Sequence, residues 1–270
     1  MANRQRIVLG GLVAVVGSVV LFVSISPGRP APSARVVVAR RTTPVTRHLG
    51  VRSSTATDPG LPPLAPTTAS PLRVLEIGDS LGIDLGDQLE SQLDRSGLAR
   101  TIMASVGDSG LANVSFYNWP ARLSALLASD HPQVVVVFMG ANDDQGLYVG
   151  AAPAAPGSPA WTSAYAQRVG EVVREATTAG ARVVWVGMPP MANPDLEAAM
   201  QRENAIYQRQ TQGVAGALYV ASAPVLPNAA DLSLRTPDGV HLTPTGAALL
   251  ARAVIDVVEA RWHLSRAAPA

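Results

Sequence analysis

The sequence predicts an α/β fold, a three-layer α/β/α sandwich with a five-stranded parallel sheet. Five short apolar runs alternate with five helical patterns between residues 71 and 262. Such alternation is typical of parallel strands joined by crossover helices. Several of the runs are valine-rich without polar interruption, as expected for strands covered on both faces. The 270 residues, 47% of them hydrophobic, suffice for one sizeable core.

The predicted elements follow one another in a regular order. The predicted strands are residues 73–77, 101–106, 134–139, 181–188 and 217–220. The predicted helices are residues 83–95, 119–128, 160–178, 194–212 and 244–262. Irregular stretches at 144–159 and 189–194 follow strand ends, where ligands bind in open parallel sheets, and are candidate substrate-shaping loops.

The N-terminal sequence predicts a membrane anchor followed by a tether. Residues 7–25 are apolar and uncharged, and about 20 such residues cross a bilayer. No small-residue cleavage site follows, so we expect residues 1–26 to be an uncleaved, single-pass signal anchor. Residues 27–70, rich in Pro, Ala, Ser and Thr, predict a tether, and residues 71–265 the folded domain.

The expected location is the cell membrane, with the folded domain extracytoplasmic. This orientation depends on the tether and on the family resemblance described below. Arg29, Arg35, Arg40 and Arg41 lie within the 16 residues after the apolar run, whereas only Arg4 and Arg6 precede it, which the positive-inside rule counts against export. A cytoplasmic domain on an inverted anchor is therefore the alternative.

Composition narrows the classes of partner and cofactor. The net charge is +1, and no basic face interleaved with aromatic residues is evident, so no nucleic-acid partner is expected. The absence of cysteine excludes disulfides, thiolate metal sites and cysteine nucleophiles. No metal or organic cofactor is expected, because no histidine pair has metal-ligand spacing. The alternative is a metal hydrolase whose ligands would be Asp79, Asn142, Asp143, Asp144 and His241.

The first strand leads directly into a candidate nucleophile. The run Val-Leu-Glu-Ile-Gly-Asp-Ser-Leu at 74–81 gives way to a helical pattern, which places Ser80 at the carboxyl end of a strand. Asp79 and Ser80 would equally be ordinary residues at a helix N-terminus. A nucleophilic role therefore requires partners elsewhere in the chain.

One of the four histidines lies in a suitable loop. His241 follows Thr-Pro-Asp-Gly-Val at 236–240 and precedes Thr243, a predicted N-cap, and Pro244 at the first helical position. Asp238 and His241 would belong to one bent loop, in which the carboxylate orients the imidazole and the imidazole faces the serine. The alternative is a turn-stabilising aspartate beside a surface histidine.

Donors for a tetrahedral oxyanion are offered at two further strand ends. Asn142 follows the third strand, and Gly107 and Gly110 follow the second. Glycine allows a backbone N–H group to approach a ligand closely. An asparagine at such a position is also a common turn former or helix cap, so these residues carry little weight individually.

Together these segments resemble the SGNH family, also called GDSL-type esterases and lipases. The matching segments are Gly-Asp-Ser-Leu at 78–81, Gly-Ala-Asn-Asp at 140–143 and Asp-Gly-Val-His at 238–241, in the family's order, and the resemblance spans about residues 71–262. It implies the SGNH hydrolase fold, whose five-stranded parallel sheet is flavodoxin-like. It also implies that Ser80 is the nucleophile, His241 the general base and Asp238 the residue that orients the histidine.

The resemblance also implies an oxyanion hole. Its donors would be the backbone N–H of Ser80, a glycine of the second segment and the Asn142 side chain. We prefer Gly110 as that glycine because the gap to the helix near residue 119 is shorter, and Gly107 is the alternative.

The implied function is a bacterial, cofactor-independent serine ester hydrolase that removes acetyl or short acyl groups from cell-envelope carbohydrate or lipid. An acyltransferase acting on an envelope glycan through the same serine is the alternative, followed by a non-catalytic envelope-binding module. Gly-Asp-Ser-Leu-Gly at 78–82 also fits the nucleophile elbow of α/β-hydrolases. Several strands precede the serine in that fold, but only one precedes Ser80.

Overall fold

The structure is a computed structural model that describes residues 61–262. The predicted anchor, and the tether as far as residue 60, lie outside the described residues. Within the described part, no helix is both long enough and apolar enough to cross a bilayer.

The described residues form one five-stranded parallel sheet, a small hairpin and five α-helices. The strands are β1 (Leu72–Gly78), β2 (Ala99–Met103), β3 (Val134–Phe138), β4 (Leu147–Val149), β5 (Ala152–Ala154), β6 (Arg182–Val186) and β7 (Ala217–Val220). The helices are α1 (Ser80–Leu93), α2 (Trp119–Asp130), α3 (Pro159–Thr178), α4 (Pro194–Thr211) and α5 (Pro244–Trp262). The sheet order β2-β1-β3-β6-β7 is flavodoxin-like, which confirms the predicted fold class.

The core lies on both faces of this sheet. Every residue of β3 and of β6 is buried, as their valine-rich sequences predict. Helix α1 packs against α5, and α3 packs against α2 and α4, so helices cover the sheet in two separate groups. Three tryptophans, Trp119, Trp161 and Trp185, are almost completely buried.

Residues 61–70, at the end of the predicted tether, contact the folded domain. The Leu64 side chain is buried, and its N–H donates to the Trp262 carbonyl oxygen at 3.4 Å. The Arg182 guanidinium donates to the carbonyl oxygen of Pro62.

Two local differences from the predicted elements bear on the site. Helix α1 begins at Ser80 rather than at residue 83, because the Asp79 side chain accepts a hydrogen bond from the Leu81 N–H and caps the helix there. The stretch 144–159, predicted to be irregular, contains the β4–β5 hairpin. Both begin after carboxyl ends of sheet strands.

Candidate active site

Ser80 is the first residue of α1 and follows a close approach of two strands. A side chain at Gly78 would come within 2.1 Å of the Phe138 carbonyl oxygen, so only glycine allows β1 to end this close to the end of β3. Because Ser80 opens the helix, no helix carbonyl accepts its N–H. The Ser80 hydroxyl and N–H therefore lie at the carboxyl edge of the sheet.

Ser80, His241 and Asp238 form a continuous hydrogen-bonded set, although Ser80 and His241 are 161 positions apart. The His241 Nε2 atom lies 2.9 Å from Ser80 Oγ, and His241 Nδ1 lies 2.8 Å from Asp238 Oδ2. An imidazole whose Nδ1–H donates to the carboxylate presents an unprotonated Nε2 to the serine hydroxyl. This geometry can take up the hydroxyl proton when Ser80 attacks a carbonyl carbon.

The Asp238 carboxylate is half exposed, with 50% of its side-chain surface accessible. Partial desolvation raises its pKa, but hydrogen bonds from the Thr236 hydroxyl, the His241 ring and the N–H groups of Val240 and His241 outweigh this effect. The net pKa lies well below the ordinary value of an aspartate. Asp238 is consequently ionised throughout the neutral pH range and can orient the imidazole.

A buried arginine holds the loop that carries Asp238 and His241. The Arg235 side chain is fully buried and donates to the carbonyl oxygens of Pro190, Gly239 and Val240 at 2.6–3.1 Å. Burial lowers the pKa of Arg235 from its ordinary value. Arg235 thereby fixes the loop through its own carbonyl groups at Gly239 and Val240, and connects it to the segment after β6 through Pro190.

The last turn of the loop is fixed to α1 and to α5. The Leu242 N–H donates to the Asp84 carboxylate at 3.0 Å, one helical turn after Ser80. The Thr243 hydroxyl accepts from the Gly246 N–H at 3.2 Å, and Pro244 is the first residue of α5, as the sequence predicts.

Asn142 lies in the loop after β3, with its side chain half buried. Its Nδ2 atom donates to the Ser109 carbonyl oxygen at 3.0 Å. An amide nitrogen carries two hydrogens, so the second N–H remains available for a ligand. The contact fixes the side chain against the loop after β2.

Asp79 connects the nucleophile turn to the loop that carries Asn142. Besides capping α1, its carboxylate accepts from the N–H groups of Gly140 and Ala141 at 2.9 and 3.0 Å. Burial raises the pKa of Asp79 to about 6, although these hydrogen bonds lower it. One fully buried side chain therefore sets the spacing between Ser80 and the segment before Asn142.

The two candidate glycines after β2 have different surroundings. A side chain at Gly110 would come within 2.1 Å of the Asp143 carboxylate, which accepts from the N–H groups of Leu111 and Ala112. Gly110 is buried, and this packing explains why it is glycine. The space beside Gly107 is open, and Gly107 follows Val106, whose N–H donates to the Gly78 carbonyl oxygen at 2.9 Å. An added side chain would therefore be crowded at Gly110 and unhindered at Gly107.

The remaining histidines and the candidate metal ligands do not join this set of contacts. Of the remaining histidines, His131 ends α2, and His48 and His263 lie outside the described residues. In the alternative metal site, Asp144 pairs with Arg202 at 3.0 Å. Within residues 61–262, no three potential metal-ligating side chains converge.

Sequence reasoning missed the groups that support this set. They are the buried side chains of Tyr165, Tyr207 and Glu203, which are distant from the catalytic loop in the chain, that of Arg235, which is adjacent to it, and the carboxylate of Asp143. Of these, only Arg235 could have been suspected from the sequence, because it directly precedes the loop at 236–240 that contains a proline and a glycine.

The chain matches one known protein family over most of its described length. The family described as Protein of unknown function (DUF459) matches residues 73–257, more than half of the chain. No curated protein matches it.

Solved structures provide three informative similarities. A protein from Slackia heliotrinireducens named as an SGNH hydrolase is 24% identical over 69% of this chain and 98% of its own, with a TM-score of 0.52. The psychrotrophic esterase EstA from Pseudoalteromonas sp. is 17% identical over 69% and 96%, with a TM-score of 0.50. Axe2, an acetylxylan esterase from Geobacillus stearothermophilus, is 14% identical over 74% and 97%, with a TM-score of 0.51. The chain therefore belongs to the DUF459 family, and its described residues have the fold of the SGNH hydrolases.

Proposed function

We propose that the protein is a serine ester hydrolase that uses Ser80, His241 and Asp238. The observation that carries this proposal is the unbroken contact from Ser80 Oγ through the His241 ring to the Asp238 carboxylate, at 2.9 and 2.8 Å. A serine hydroxyl is a weak nucleophile until an adjacent base accepts its proton, and the set supplies both the base and its orienting acid.

In the proposed reaction, Ser80 Oγ attacks the ester carbonyl carbon while its proton moves to His241 Nε2. The carbonyl oxygen becomes an oxyanion stabilised by the Ser80 N–H, by the Asn142 side chain and by the N–H of a glycine after β2. For that glycine we propose Gly107 in place of Gly110, because the space beside Gly107 is open to a ligand. His241 then gives its proton to the leaving alcohol as the carbon–oxygen bond breaks, which leaves an acyl-serine. A water molecule, deprotonated by His241, attacks this acyl group, and Ser80 recovers its proton as the acid departs.

A structural relative supports this assignment of roles. Solved catalytic variants of Axe2 replace a serine, an aspartate and a histidine, and the aspartate precedes the histidine by three positions. Asp238 and His241 have the same spacing. The similarity to an acetylxylan esterase also favours an acetyl or short acyl ester as substrate, and carbohydrate as one class of acceptor.

The proposed location extends this function. If residues 7–25 anchor the chain in the cell membrane and the domain is extracytoplasmic, the accessible esters are those of envelope carbohydrates and lipids. The proposed partners are consequently a glycan or small-molecule ester and, through the N-terminal segment, the membrane. Fractionation of cells, followed by protease treatment of intact spheroplasts, tests this location.

The test of the chemistry is cleavage of a short-chain chromogenic ester by the purified full-length protein. We expect Ser80→Ala to lower kcat by about 10⁴-fold or more, because the triad acts as a unit. Ser91→Ala, which changes an exposed serine further along α1, is the matched control and should leave kcat unchanged. Equal turnover by wild type and Ser80→Ala would refute the proposal. Preferential transfer to an added glycan would indicate an acyltransferase.

A further inference from the structure

Four buried polar side chains form a chain of contacts behind the loop that carries Asn142. Glu203 Oε2 lies 3.0 Å from the Tyr207 hydroxyl, which lies 2.8 Å from the Tyr165 hydroxyl, which lies 2.6 Å from Asp143 Oδ2. Each of these residues is at most 1% exposed. We call this set the buried polar chain.

The buried polar chain packs directly against the backbone of residues 139–143. A side chain at Gly140 would come within 2.5 Å of the Tyr207 hydroxyl and 2.6 Å of Glu203 Oε2. The Tyr207 hydroxyl also lies 3.1 Å from the carbonyl oxygen of Met139. A change in this chain therefore acts on the segment that positions Asn142.

The number of hydrogens available to these contacts favours a proton on one of the two acids. The hydroxyl oxygens of Tyr207 and Tyr165 make four contacts, with Glu203, Met139, Asp143 and each other. If both carboxylates were ionised, only the two hydroxyl hydrogens would be available for the four contacts. Oxygen atoms would then face each other without a hydrogen at two contacts, which is costly for buried polar groups.

The surroundings of the two acids place this proton on Glu203. The Asp143 carboxylate accepts three hydrogen bonds, from Tyr165 and from the N–H groups of Leu111 and Ala112, an environment that stabilises its ionised form. Glu203 accepts or donates only at Oε2, and its buried Oε1 has no hydrogen-bond partner among the described residues. Burial accordingly raises the pKa of Glu203 well above its ordinary value, further raised by the charge of Asp143.

We infer that Glu203 is a positioning residue that holds a proton and, through Tyr207 and Tyr165, fixes the loop that presents Asn142 to the ester carbonyl. This role rests on the proposed ester hydrolysis. In the resulting arrangement, each group donates to the next, from Glu203 to Tyr207, Tyr165 and finally Asp143. The one contact left without a hydrogen is the longest of the four, at 3.1 Å to Met139.

Ionisation of Glu203 breaks this arrangement. The Tyr207 hydrogen then turns to the Glu203 carboxylate, and the Tyr165 and Tyr207 oxygens face each other without a hydrogen. The ionisable groups that face Glu203 come from four elements. They are Asp79 in the turn after β1, Asp143 and Asp144 in the loop after β3, Tyr165 in α3 and Tyr207 in α4. Arg202 of α4 is paired with Asp144. Because no cation among these groups contacts Glu203 directly, only the hydrogen bond from Tyr207 offsets the cost of its ionisation, and burial outweighs it.

The protonation state can be measured without reference to activity. We expect the infrared difference spectrum of the full-length wild type minus Glu203→Gln, at pH 7, to contain the carbonyl band of a protonated carboxylic acid. The Glu76→Gln variant is the control, since it removes a different buried acid and leaves the Glu203 band in place. Carboxylate bands alone in the Glu203 difference spectrum would overturn the inference.

The positioning role has its own kinetic signature. Glutamine can still donate to Tyr207, so Glu203→Gln should retain kcat within about twofold, whereas Glu203→Leu should lower kcat about tenfold at unchanged KM. The wild-type kcat should fall at alkaline pH, and Glu203→Gln should lack this component. If Glu203→Leu does not fold, Tyr207→Phe interrupts the same chain with a smaller change and should also lower kcat.

A double-mutant cycle separates positioning from general stabilisation. If Glu203 acts through Asn142, Glu203→Leu should have almost no further effect on kcat in an Asn142→Ala background. Equal losses in both backgrounds, or equal losses for Glu203→Gln and Glu203→Leu, would overturn the inference while leaving Ser80-dependent hydrolysis intact. Failure of the proposed function would instead appear as wild-type turnover that does not depend on Ser80, and would remove the positioning role with it.

Discussion

Ser80 lies between two aspartates in opposite environments. Asp79 is fully buried, accepts only backbone N–H groups and has a pKa raised by burial to about 6. Asp238 is half exposed, accepts from a hydroxyl, an imidazole and two N–H groups, and has a lowered pKa. Asp79 holds the backbone around Ser80, and Asp238 holds the imidazole of His241.

The same contrast extends to the two regions that contain these residues. The β1 and β3 side carries the buried acids Glu76, Asp79 and Asp143, of which Asp79 and Asp143 accept hydrogen bonds from backbone N–H groups near Ser80. The acid–base loop, residues 235–243, is exposed at its tip and held by Arg235 from beneath. We therefore expect changes at the tip of the loop to remove activity at constant stability, and changes on the buried side to reduce stability first.

The largest expected effect is on activity, at the tip of the acid–base loop. His241→Gln should lower kcat by about 10⁵-fold, because Ser80 loses its base and triad members act as a unit. The side chain is 37% exposed, so the free energy of unfolding in urea should change by no more than about 0.5 kcal/mol. His131→Gln, at the end of α2, is the matched control for a histidine replacement. Retained turnover in His241→Gln would show that another group is the base.

A smaller effect is expected on stability, on the buried side. Gly110→Ala should lower the free energy of unfolding by about 1–3 kcal/mol, because the added methyl would overlap the Asp143 carboxylate and displace it from its donors. Gly107→Ala is the control, since the space beside Gly107 is open. Equal unfolding midpoints for these two variants would contradict the packing role assigned to Gly110.

A third expected effect, visible only when the pH is varied, is a change in the pH dependence of stability. Burial raises the pKa of Glu76 to about 8, against its ordinary value of 4.5. The folded protein therefore holds a proton that the unfolded chain releases, so this contribution to stability is complete below pH 4.5 and is lost as pH rises to about 8. Glu76→Gln should remove a slope of at most about 1.4 kcal/mol per pH unit in this interval.

Urea unfolding of wild type and Glu76→Gln between pH 4.5 and pH 8 measures this slope. The variant should gain stability relative to the wild type as the pH rises. Parallel pH profiles would mean that Glu76 is ionised in the folded protein, contrary to its burial beside Gly82 and Gly86 of α1.

Features set by local sequence could be predicted, whereas features set by contacts between distant buried residues could not. The parallel sheet was predictable because its strands are continuous valine-rich runs, and the pairing of Asp238 with His241 because both belong to one punctuated loop. The buried polar chain was not, because Glu203 belongs to the polar sequence Gln-Arg-Glu-Asn at 201–204, whose pattern gives no sign of burial. Its burial depends on Gly140, 63 positions earlier, which leaves room for it.

The packing around Gly110 could not be predicted from the sequence. The preference for Gly110 as an oxyanion donor was based on its distance along the chain from α2. The neighbour that requires glycine at this position is Asp143, which approaches from the loop after β3. This contact joins segments distant in the chain, and no local pattern encodes it.

The central claim is that His241 activates Ser80, and covalent labelling of the serine tests it most directly. The full-length protein is incubated with a fluorophosphonate, and the modified peptide is identified by mass spectrometry. We predict a single adduct on Ser80, formed at least about 10²-fold more slowly in His241→Gln because the serine loses its base. Labelling of Ser80 at the same rate in both proteins, or of other serines in its place, would contradict the account.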